Sequence, residues 1–440
     1  MSLKGVFLVC ILWLAGLPAV WADVPSPVIV QTLPAPIIAR ASGAQTLDLS
    51  SYIQNPNVPG TAVRMFCQLG NLSSGNIDLA LTDSQTPLTV ANFLTYLEGG
   101  AYTNTIIHRS IPGFVIQGGE YYFTSLTQIS FTPVLPNSVQ NEPGISNVAG
   151  TIAMAKVGGD PNSATNQWFI NLVDNSSNLD NQDGGFTVFG HILGNGLSVA
   201  NAIAKVPTYD GSSIGPDWTN IPLAFIPIDN SNGFIMSAFV TVSMAVVPAV
   251  TYTATSGNTS LLTVSVSGNT LSVTPSTTNV GATNITITAT DLEGSQLQTS
   301  FNISVLNTYD LWAAAINFAN TTDSADTADP ANDGVTNLAK YAFGGDPLHA
   351  QAIVGLPKAE SGGGVTFYNK QFSALAYGVF ESSDLVNWTL VWQSSDGFSN
   401  PTVTNYTPNV AAGFDALTIR DPSGGFMPVR FWQVKVQSTL

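Results

Sequence analysis

Charged residues are scarce in this sequence of 440 residues. Asp, Glu, Lys and Arg make up 9 % of it, against about 25 % in an ordinary soluble protein. The 12 basic and 28 acidic residues give a formal net charge of −16. Affinity for nucleic acids and for anionic membranes comes from clustered Lys and Arg, so this balance excludes both kinds of partner. Hydrophobic residues make up 44 %, which is enough for real cores and excludes wholesale disorder.

Cysteine and histidine are also rare, with two and three copies. Cys10 lies in an apolar run, residues 5–17, that follows Lys4. This pattern predicts a secretory signal over residues 1–22, and the run is shorter than the ~20 residues that a membrane span needs. Without the signal, Cys67 is the one remaining thiol, so we expect no internal disulfide. One thiol and three scattered histidines also disfavour a zinc site.

Changes in composition and periodicity predict a mainly β, multidomain chain. Apolar residues at Val90, Phe93 and Leu97 have helical spacing and end at a Gly-Gly pair, whereas alternating Val and Ile after residue 240 are typical of strands. The predicted segments are a signal peptide at 1–22, a Pro-rich linker at 23–46, a mixed domain at 47–235, a cadherin-like or immunoglobulin-like β-sandwich at 236–307, a helical hairpin with an acidic loop at 308–350, and a C-terminal β module at 351–440.

Three sequence blocks carry the most specific signal. They comprise residues 102–119, residues 150–171 and residues 186–192, in this order and within one domain. Together they closely resemble the signature of the cyclophilin family of peptidyl-prolyl cis/trans isomerases. The resemblance implies a closed eight-stranded antiparallel β-barrel with two capping helices for the domain at 47–235. It also implies catalysis of rotation about X-Pro bonds.

The resemblance further implies roles for individual residues. The catalytic role falls on Arg109, with Gln117 and Phe114 beside it. The positions that match the substrate groove are His108, Val115, Ala155, Lys156, Gln167, Phe169, Leu179 and Phe186. No cofactor is required. The implied partners are proline-containing polypeptides, which for an exported chain are other proteins of the periplasm, the cell surface or the medium.

Proline isomerisation sets physical demands that these residue types can meet. Rotation about a peptide bond has a barrier of ~18–20 kcal/mol because it destroys amide resonance, yet no bond breaks. A catalyst therefore needs an apolar slot for the proline ring and a fixed donor for the twisted amide, and the forked guanidinium of Arg109 suits the donor role. The alternative is a peptide-binding or surface-adhesion protein with weak or no catalysis, attached to a surface or matrix polymer by its downstream β modules.

An acidic loop between two helical segments has the oxygen-rich, Gly-punctuated character of a calcium site. Its candidate ligands are Asp326, Asp329, Asp333 and Asn337. It resembles Asp-rich loops of exported bacterial proteins, but Ala331 replaces the middle acid, and the loss of a carboxylate weakens a site for a hard cation. A helical hairpin without metal is the other interpretation.

Overall fold

A computed structural model describes residues 26–40, 42–70, 73–212, 217–225, 234–360, 363–371, 375–396, 399–411, 413–420 and 430–438. The predicted signal at 1–22, with Cys10, lies outside the described residues. Contacts divide the described chain into two compact units. The first contains residues 26–32, Asp48–Thr253 and Thr288–Gln298, and the second contains Leu33–Leu47, Ala254–Ile287 and the chain from Thr299 onward.

Antiparallel strands of the first unit close into a barrel. The described residues begin with four short strands, β1 (Val28–Ile29), β2 (Ile37–Ala39), β3 (Gln45–Asp48) and β4 (Ile53–Gln54). The following strands are β5 (Ala62–Leu69), β6 (Ser73–Leu81), β7 (Thr105–Ile111), β8 (Val115–Ser125), β9 (Gln128–Phe131), β10 (Thr151–Met154), β11 (Trp168–Asn171), β12 (Val188–Ile192), β13 (Thr208–Tyr209), β14 (Ile221–Pro222) and β15 (Val240–Val246). Hydrogen bonding follows the order β11-β10-β12-β6-β5-β15-β7-β8, and β8 pairs with β11 again. This confirms the predicted closed eight-stranded barrel.

Two helices pack against the barrel interior. The α-helices in the described residues are α1 (Pro87–Glu98), α2 (Ser176–Leu179), α3 (Gly196–Ala204), α4 (Thr308–Ala314) and α5 (Asn337–Phe343). Helix α1 begins with proline at a position where its missing N–H costs nothing, and its Phe93 ring lies 4.9 Å from that of Phe189 and 5.1 Å from that of Tyr102. Ala200 and Ile203 of α3 join the same buried cluster. The predicted capping helices are therefore present, and their apolar faces fill the barrel.

The barrel extends beyond the predicted domain boundary at residue 235. Strand β15 pairs with β5 along its whole length and with β7 at Thr241 and Val242. The alternating pattern of this strand predicts a place in the sandwich at 236–307. An alternating strand looks the same in either context, because alternation indicates a buried face and does not identify its partner strand.

The predicted linker at 23–46 also contains strands. Ile37–Ala39 pairs in parallel with Ser304–Leu306, and β3 is the edge strand beside β18 (Thr270–Pro275). Prolines before these segments favour extended backbone, which suits an edge strand as well as a linker. The segment is therefore part of the β structure.

The remaining strands form small sheets. They are β16 (Val250–Ser256), β17 (Leu262–Ser267), β18, β19 (Gly281–Asp291), β20 (Gln296–Leu306), β21 (Lys358–Ala359), β22 (Val365–Lys370), β23 (Leu375–Ser382), β24 (Thr389–Gln393), β25 (Val403–Ala411), β26 (Phe414–Ile419) and β27 (Phe431–Ser438). The second unit has a separate aromatic core with Trp392, Tyr377 and Phe367 fully buried. In the part of the chain that the structure describes, no helix has both the length and the apolar character needed to cross a membrane.

Candidate active site

Arg109 and Gln117 face each other across two neighbouring barrel strands. They are partners in the ladder between β7 and β8, just after a register shift. The guanidinium Nη1 donates to Gln117 Oε1 at 3.3 Å, and Gln117 Nε2 donates to Gln167 Oε1 at 2.9 Å. Partial burial lowers the pKa of Arg109, but a guanidinium remains charged at neutral pH. The result is a cation held in a fixed direction by a chain of side-chain hydrogen bonds.

An apolar pocket lies beside this guanidinium. Val115, Phe169 and Leu179 are buried in its floor, and half-buried Phe114 and Phe186 pack against them. The Arg109 guanidinium carbon lies 5.9 Å from the centre of the Phe114 ring. The pocket has a volume of about 230 Å³ and is lined by Arg109, Phe114, Val115, Gln117, Ala155, Lys156, Phe169, Leu179, Gln182 and Phe186.

Strand pairing explains why distant parts of the sequence meet in this pocket. Strand β11 lies between β8 and β10, so Phe169 is opposite Gln117 on one side and Ala153 on the other. Its ring meets the Phe186 ring edge to face at 5.6 Å between centroids. Such aromatic pairs contribute about 0.5–1.5 kcal/mol beyond the burial of their area. The pocket wall is therefore part of the barrel framework.

Lys156 holds the turn that leads to Phe186, which forms one wall of the pocket. Its ammonium donates to the carbonyl oxygens of Asp183 at 2.9 Å and Gly185 at 2.7 Å. It also lies 4.6 Å from the centre of the Phe186 ring. Asp183 and Gly185 have positive φ angles of 49° and 81°, a conformation that a non-glycine residue adopts at a cost. Burial lowers the pKa of Lys156.

Most of the predicted site residues line the pocket, with two exceptions. Gln167 contributes through its hydrogen bond to Gln117. His108 is fully buried, and its imidazole packs 5.6 Å from the Tyr121 ring and 3.7 Å from a Glu120 oxygen. His108 is not among the residues that line the pocket. The predicted contact between His108 and substrate stays a prediction.

Gln182 is a pocket residue that the sequence analysis missed. It lies on the turn before Asp183 and lines the pocket with its exposed side chain. The turn lies just before the third sequence block, and nothing in its composition distinguishes it from an ordinary surface loop. Its position depends on the Lys156 hydrogen bonds described above.

The candidate calcium loop is arranged around a lysine. The Lys340 ammonium, whose side chain is fully buried, lies 2.9 Å from an Asp333 oxygen and 3.7 Å from an Asp329 oxygen. Asn337 donates its amide to the carbonyls of Asp323 and Ala325, and the Asp326 carbonyl accepts from the Leu338 N–H. Across the described residues, no three His, Cys, Asp or Glu side chains are grouped to suit a metal ion. A fixed ammonium between these carboxylates does not fit a bound cation.

Comparisons with known proteins agree with this geometry. The model of the family described as cyclophilin type peptidyl-prolyl cis-trans isomerase/CLD matches residues 67–223. The chain is 40 % identical over 161 residues to peptidyl-prolyl cis-trans isomerase A of Dickeya dadantii (strain 3937), a match that covers 36 % of this chain and 80 % of that protein.

Two further bacterial relatives match the same domain. Peptidyl-prolyl cis-trans isomerase cyp18 of Streptomyces antibioticus is 38 % identical over 37 % of this chain and 94 % of its own length. Peptidyl-prolyl cis-trans isomerase B of Escherichia coli (strain K12) is 40 % identical over 30 % of this chain and 81 % of its own length. With the closed barrel and the pocket beside Arg109, these matches show that the chain belongs to the cyclophilin-type peptidyl-prolyl cis-trans isomerase family.

Proposed function

We propose that this protein catalyses cis/trans rotation about X-Pro bonds of exported proteins, with Arg109 as the donor that stabilises the transition state. The observation that carries the proposal is the charged guanidinium held by Gln117 at the rim of an apolar pocket. The proline ring enters the pocket formed by Phe114, Phe169 and Leu179. The rotating amide then lies within reach of Arg109.

The chemistry follows from the properties of the twisted amide. Rotation removes resonance between the carbonyl and the nitrogen, so the nitrogen lone pair becomes a better hydrogen-bond acceptor. A donor fixed in the right place binds this state more tightly than the planar ground state and so lowers the barrier. Dry, apolar walls strengthen that interaction. No residue needs to transfer a proton, which fits a pocket that has no histidine among its lining residues.

Export is part of the proposal because of the N-terminal sequence. Residues 1–22 combine one cation with a short apolar run and small residues before Asp23, as in a secretory signal. An isomerase carried out of the cytoplasm meets other exported chains while they fold. Their X-Pro bonds isomerise in tens to hundreds of seconds without catalysis, which is slow enough to limit folding.

The test is a proline isomerisation assay with the full chain and a short X-Pro peptide. We expect acceleration by the wild type and a loss of about 10²–10³-fold in kcat/KM for Arg109→Ala, the size typical of a lost transition-state donor. Arg64→Ala is the matched control, because Arg64 lies on the same barrel but pairs with Asp78 outside the groove. Circular dichroism checks that each variant is folded.

Either of two results would overturn the proposal. No acceleration by folded wild type across several X residues would leave a peptide-binding or adhesion protein that uses the same groove. Acceleration that Arg109→Ala retains would remove the donor role from this residue.

A further inference from the structure

We propose that three buried asparagines and one partly buried aspartate behind the pocket act as positioning residues for its aromatic walls. They are Asn147, Asn171, Asn175 and Asp180, here called the amide relay. The inference rests on the proposed function, because it assigns the relay a role in holding the groove that binds the proline. None of the four lines the pocket itself, so the relay acts through the residues that it holds.

The first end of the relay holds Phe114. Asn175 Nδ2 donates to the Phe114 carbonyl oxygen at 3.0 Å and to Asn171 Oδ1 at 2.8 Å. The same carbonyl accepts from the Leu172 N–H at 2.9 Å. Phe114 lies on the short connection between β7 and β8, where its N–H donates to the Ile111 carbonyl at 3.0 Å. Its carbonyl oxygen is therefore held by the Asn175 amide and the Leu172 N–H.

The second end holds Phe186. Asn171 Nδ2 donates to Asn147 Oδ1 at 3.1 Å, and Asn147 Nδ2 donates to the Phe186 carbonyl oxygen at 3.1 Å. Asn147 also binds Asp180 Oδ1 through its backbone N–H at 2.8 Å and through Nδ2 at 3.0 Å. A continuous chain of hydrogen bonds thus joins the backbones of two pocket aromatics from distant parts of the sequence.

Backbone bonds attach a third wall, Leu179, to the same relay. The Asn175 N–H donates to the Asn147 carbonyl, the Leu179 N–H to the Asn175 carbonyl, and the Phe186 N–H to the Leu179 carbonyl. Helix α2, which carries Leu179, has a single turn and is too short to be stable by itself. Its position depends on the bonds at its two ends.

Because the asparagines of the relay are buried, the loss of any one of their hydrogen bonds is expected to disrupt the whole network. Asn147 and Asn171 are fully buried and Asn175 is 7 % exposed, so an unpaired amide at any of these places carries a desolvation penalty. Fully satisfied polar networks in a low-dielectric interior fix one geometry. Here the fixed geometry is the spacing between the Phe114 and Phe186 backbones, on which the width of the proline pocket depends.

The test is a double-mutant cycle on the full chain with Asn147→Ala and Asn175→Ala, one at each end of the relay. We measure KM and kcat for an X-Pro peptide and, separately, the dissociation constant of the same peptide by NMR titration. Each single variant is expected to raise KM and the dissociation constant by about 3- to 10-fold, the size of one lost hydrogen bond, with kcat changed less than twofold. The double variant is expected to resemble the weaker-binding single variant, because either change already breaks the relay.

Asn55→Ala is the matched control. Asn55 is 4 % exposed and its amide binds the Ala249 carbonyl in the same unit, away from the pocket. It is expected to lower stability without a change in KM or in peptide affinity. Thermal melts identify any variant that does not fold, and Asn175→Ser is then used at that end, because it shortens the side chain without removing all polarity.

The outcomes separate the relay from the proposed function. Peptide binding equal to wild type in both single variants, or effects that multiply in the double variant, would overturn the relay. Absence of isomerase activity in the wild type would overturn the proposed function alone, because the peptide dissociation constants still report on the pocket walls.

Discussion

The Arg109 guanidinium is oriented by Gln117, its direct partner across the strand pair, through a 3.3 Å hydrogen bond to the side-chain oxygen. Gln117 is itself fixed by Gln167, the residue just before β11. A long side chain such as arginine loses up to ~2 kcal/mol of rotamer freedom when it is held in one position. The folded protein has already lost this rotamer freedom before substrate binds, so the donor is preorganised for the twisted amide.

We therefore expect Gln117→Ala to reduce kcat/KM for an X-Pro peptide by about tenfold, because a hydrogen bond to a charged group contributes about 1.5–3 kcal/mol and the guanidinium keeps its charge. The unfolding midpoint in urea should change little, since Gln117 is half-exposed. The control is Gln128→Ala, an exposed glutamine of strand β9. Equal activity of Gln117→Ala and wild type would show that Arg109 needs no such orientation.

Lys156→Met tests the turn that carries Phe186. The substitution keeps most of the apolar stem but removes the two hydrogen bonds to the Asp183 and Gly185 carbonyls. Because the turn contains left-handed residues, we expect it to relax and KM to rise by about 3- to 10-fold, with kcat within twofold of wild type. Steady-state kinetics with one X-Pro peptide provides the measurement.

Lys205→Met is the matched control for this prediction. Lys205 is an exposed lysine just after α3, so its substitution changes the net charge equally but leaves the turn intact. An equal rise in KM for both variants would indicate a general charge effect and contradict the role of the turn.

The barrel and most of the pocket were predictable because they depend on local patterns. The sequence blocks at 102–119, 150–171 and 186–192 lie on strands and turns that meet in space, so recognising them also located the pocket. His108 belongs to the same motif but is buried and does not line the pocket, because a motif names neighbouring residues without showing which of them reach the groove. Gln182 was missed because its place depends on a turn held by a lysine distant in sequence.

The predicted domain boundaries differ from the structure mainly where the sequence does not reveal the partner of a strand. Strand β15 has the same alternation as the sandwich strands, and periodicity does not reveal that β5 is its partner. The short strands β2 and β3 occur in a Pro-rich segment whose partner strands lie more than 200 residues away. Pairings of such high sequence separation leave no local signal.

The acidic loop of the second unit is expected to hold its shape without calcium. Lys340 already supplies a positive charge beside Asp329 and Asp333. The melting temperature of the full chain should therefore be the same in excess chelator and in millimolar calcium chloride. A rise in melting temperature with calcium would contradict this expectation and restore the metal site that the sequence pattern favours.

Lys340→Met tests how much the buried ammonium contributes to the stability of the same loop. The substitution removes a buried ammonium and leaves two neighbouring carboxylates to repel each other, so we expect the melting temperature to fall by about 2–5 °C. Lys435→Met is the control, because Lys435 lies over the Phe380 ring of the same unit and not beside acidic residues of the loop. An equal fall in melting temperature for both substitutions would mean that the ion pairs of Lys340 do not contribute to stability.

Glu120 and His108 give the stability of the barrel a pH dependence. Burial, with the negative charge of Asp217, raises the pKa of Glu120 to about 7. Burial, with the positive charge of Arg109, lowers the pKa of the facing His108 to about 3, and burial raises that of Tyr121 to about 12. At neutral pH His108 is therefore uncharged, and its 3.7 Å contact with Glu120 is not an ion pair.

The pKa of Glu120 is raised and that of His108 is lowered, so their contributions to stability change with pH in opposite directions. For Glu120 the folded pKa lies above the unfolded value, so its favourable contribution is complete below about pH 4.5 and is lost as the pH rises through about 7. For His108 the folded pKa lies below the unfolded value, so its contribution is complete above about pH 6.5 and is lost as the pH falls toward about 3. Between about pH 4.5 and pH 6.5, the changes in stability from Glu120 and His108 partly cancel.

Glu120→Gln isolates the carboxyl, because His108 is present in both proteins. Relative to wild type, we expect the variant to gain about 1–2 kcal/mol of unfolding free energy between pH 5 and pH 8, a value reduced by the partial exposure of the carboxyl. Urea denaturation of the full chain at both pH values, followed by intrinsic fluorescence, measures the difference. Glu98→Gln, at the exposed end of α1, controls for the loss of one negative charge. Parallel stability profiles for wild type and Glu120→Gln would show that this carboxyl titrates as it does in the unfolded chain.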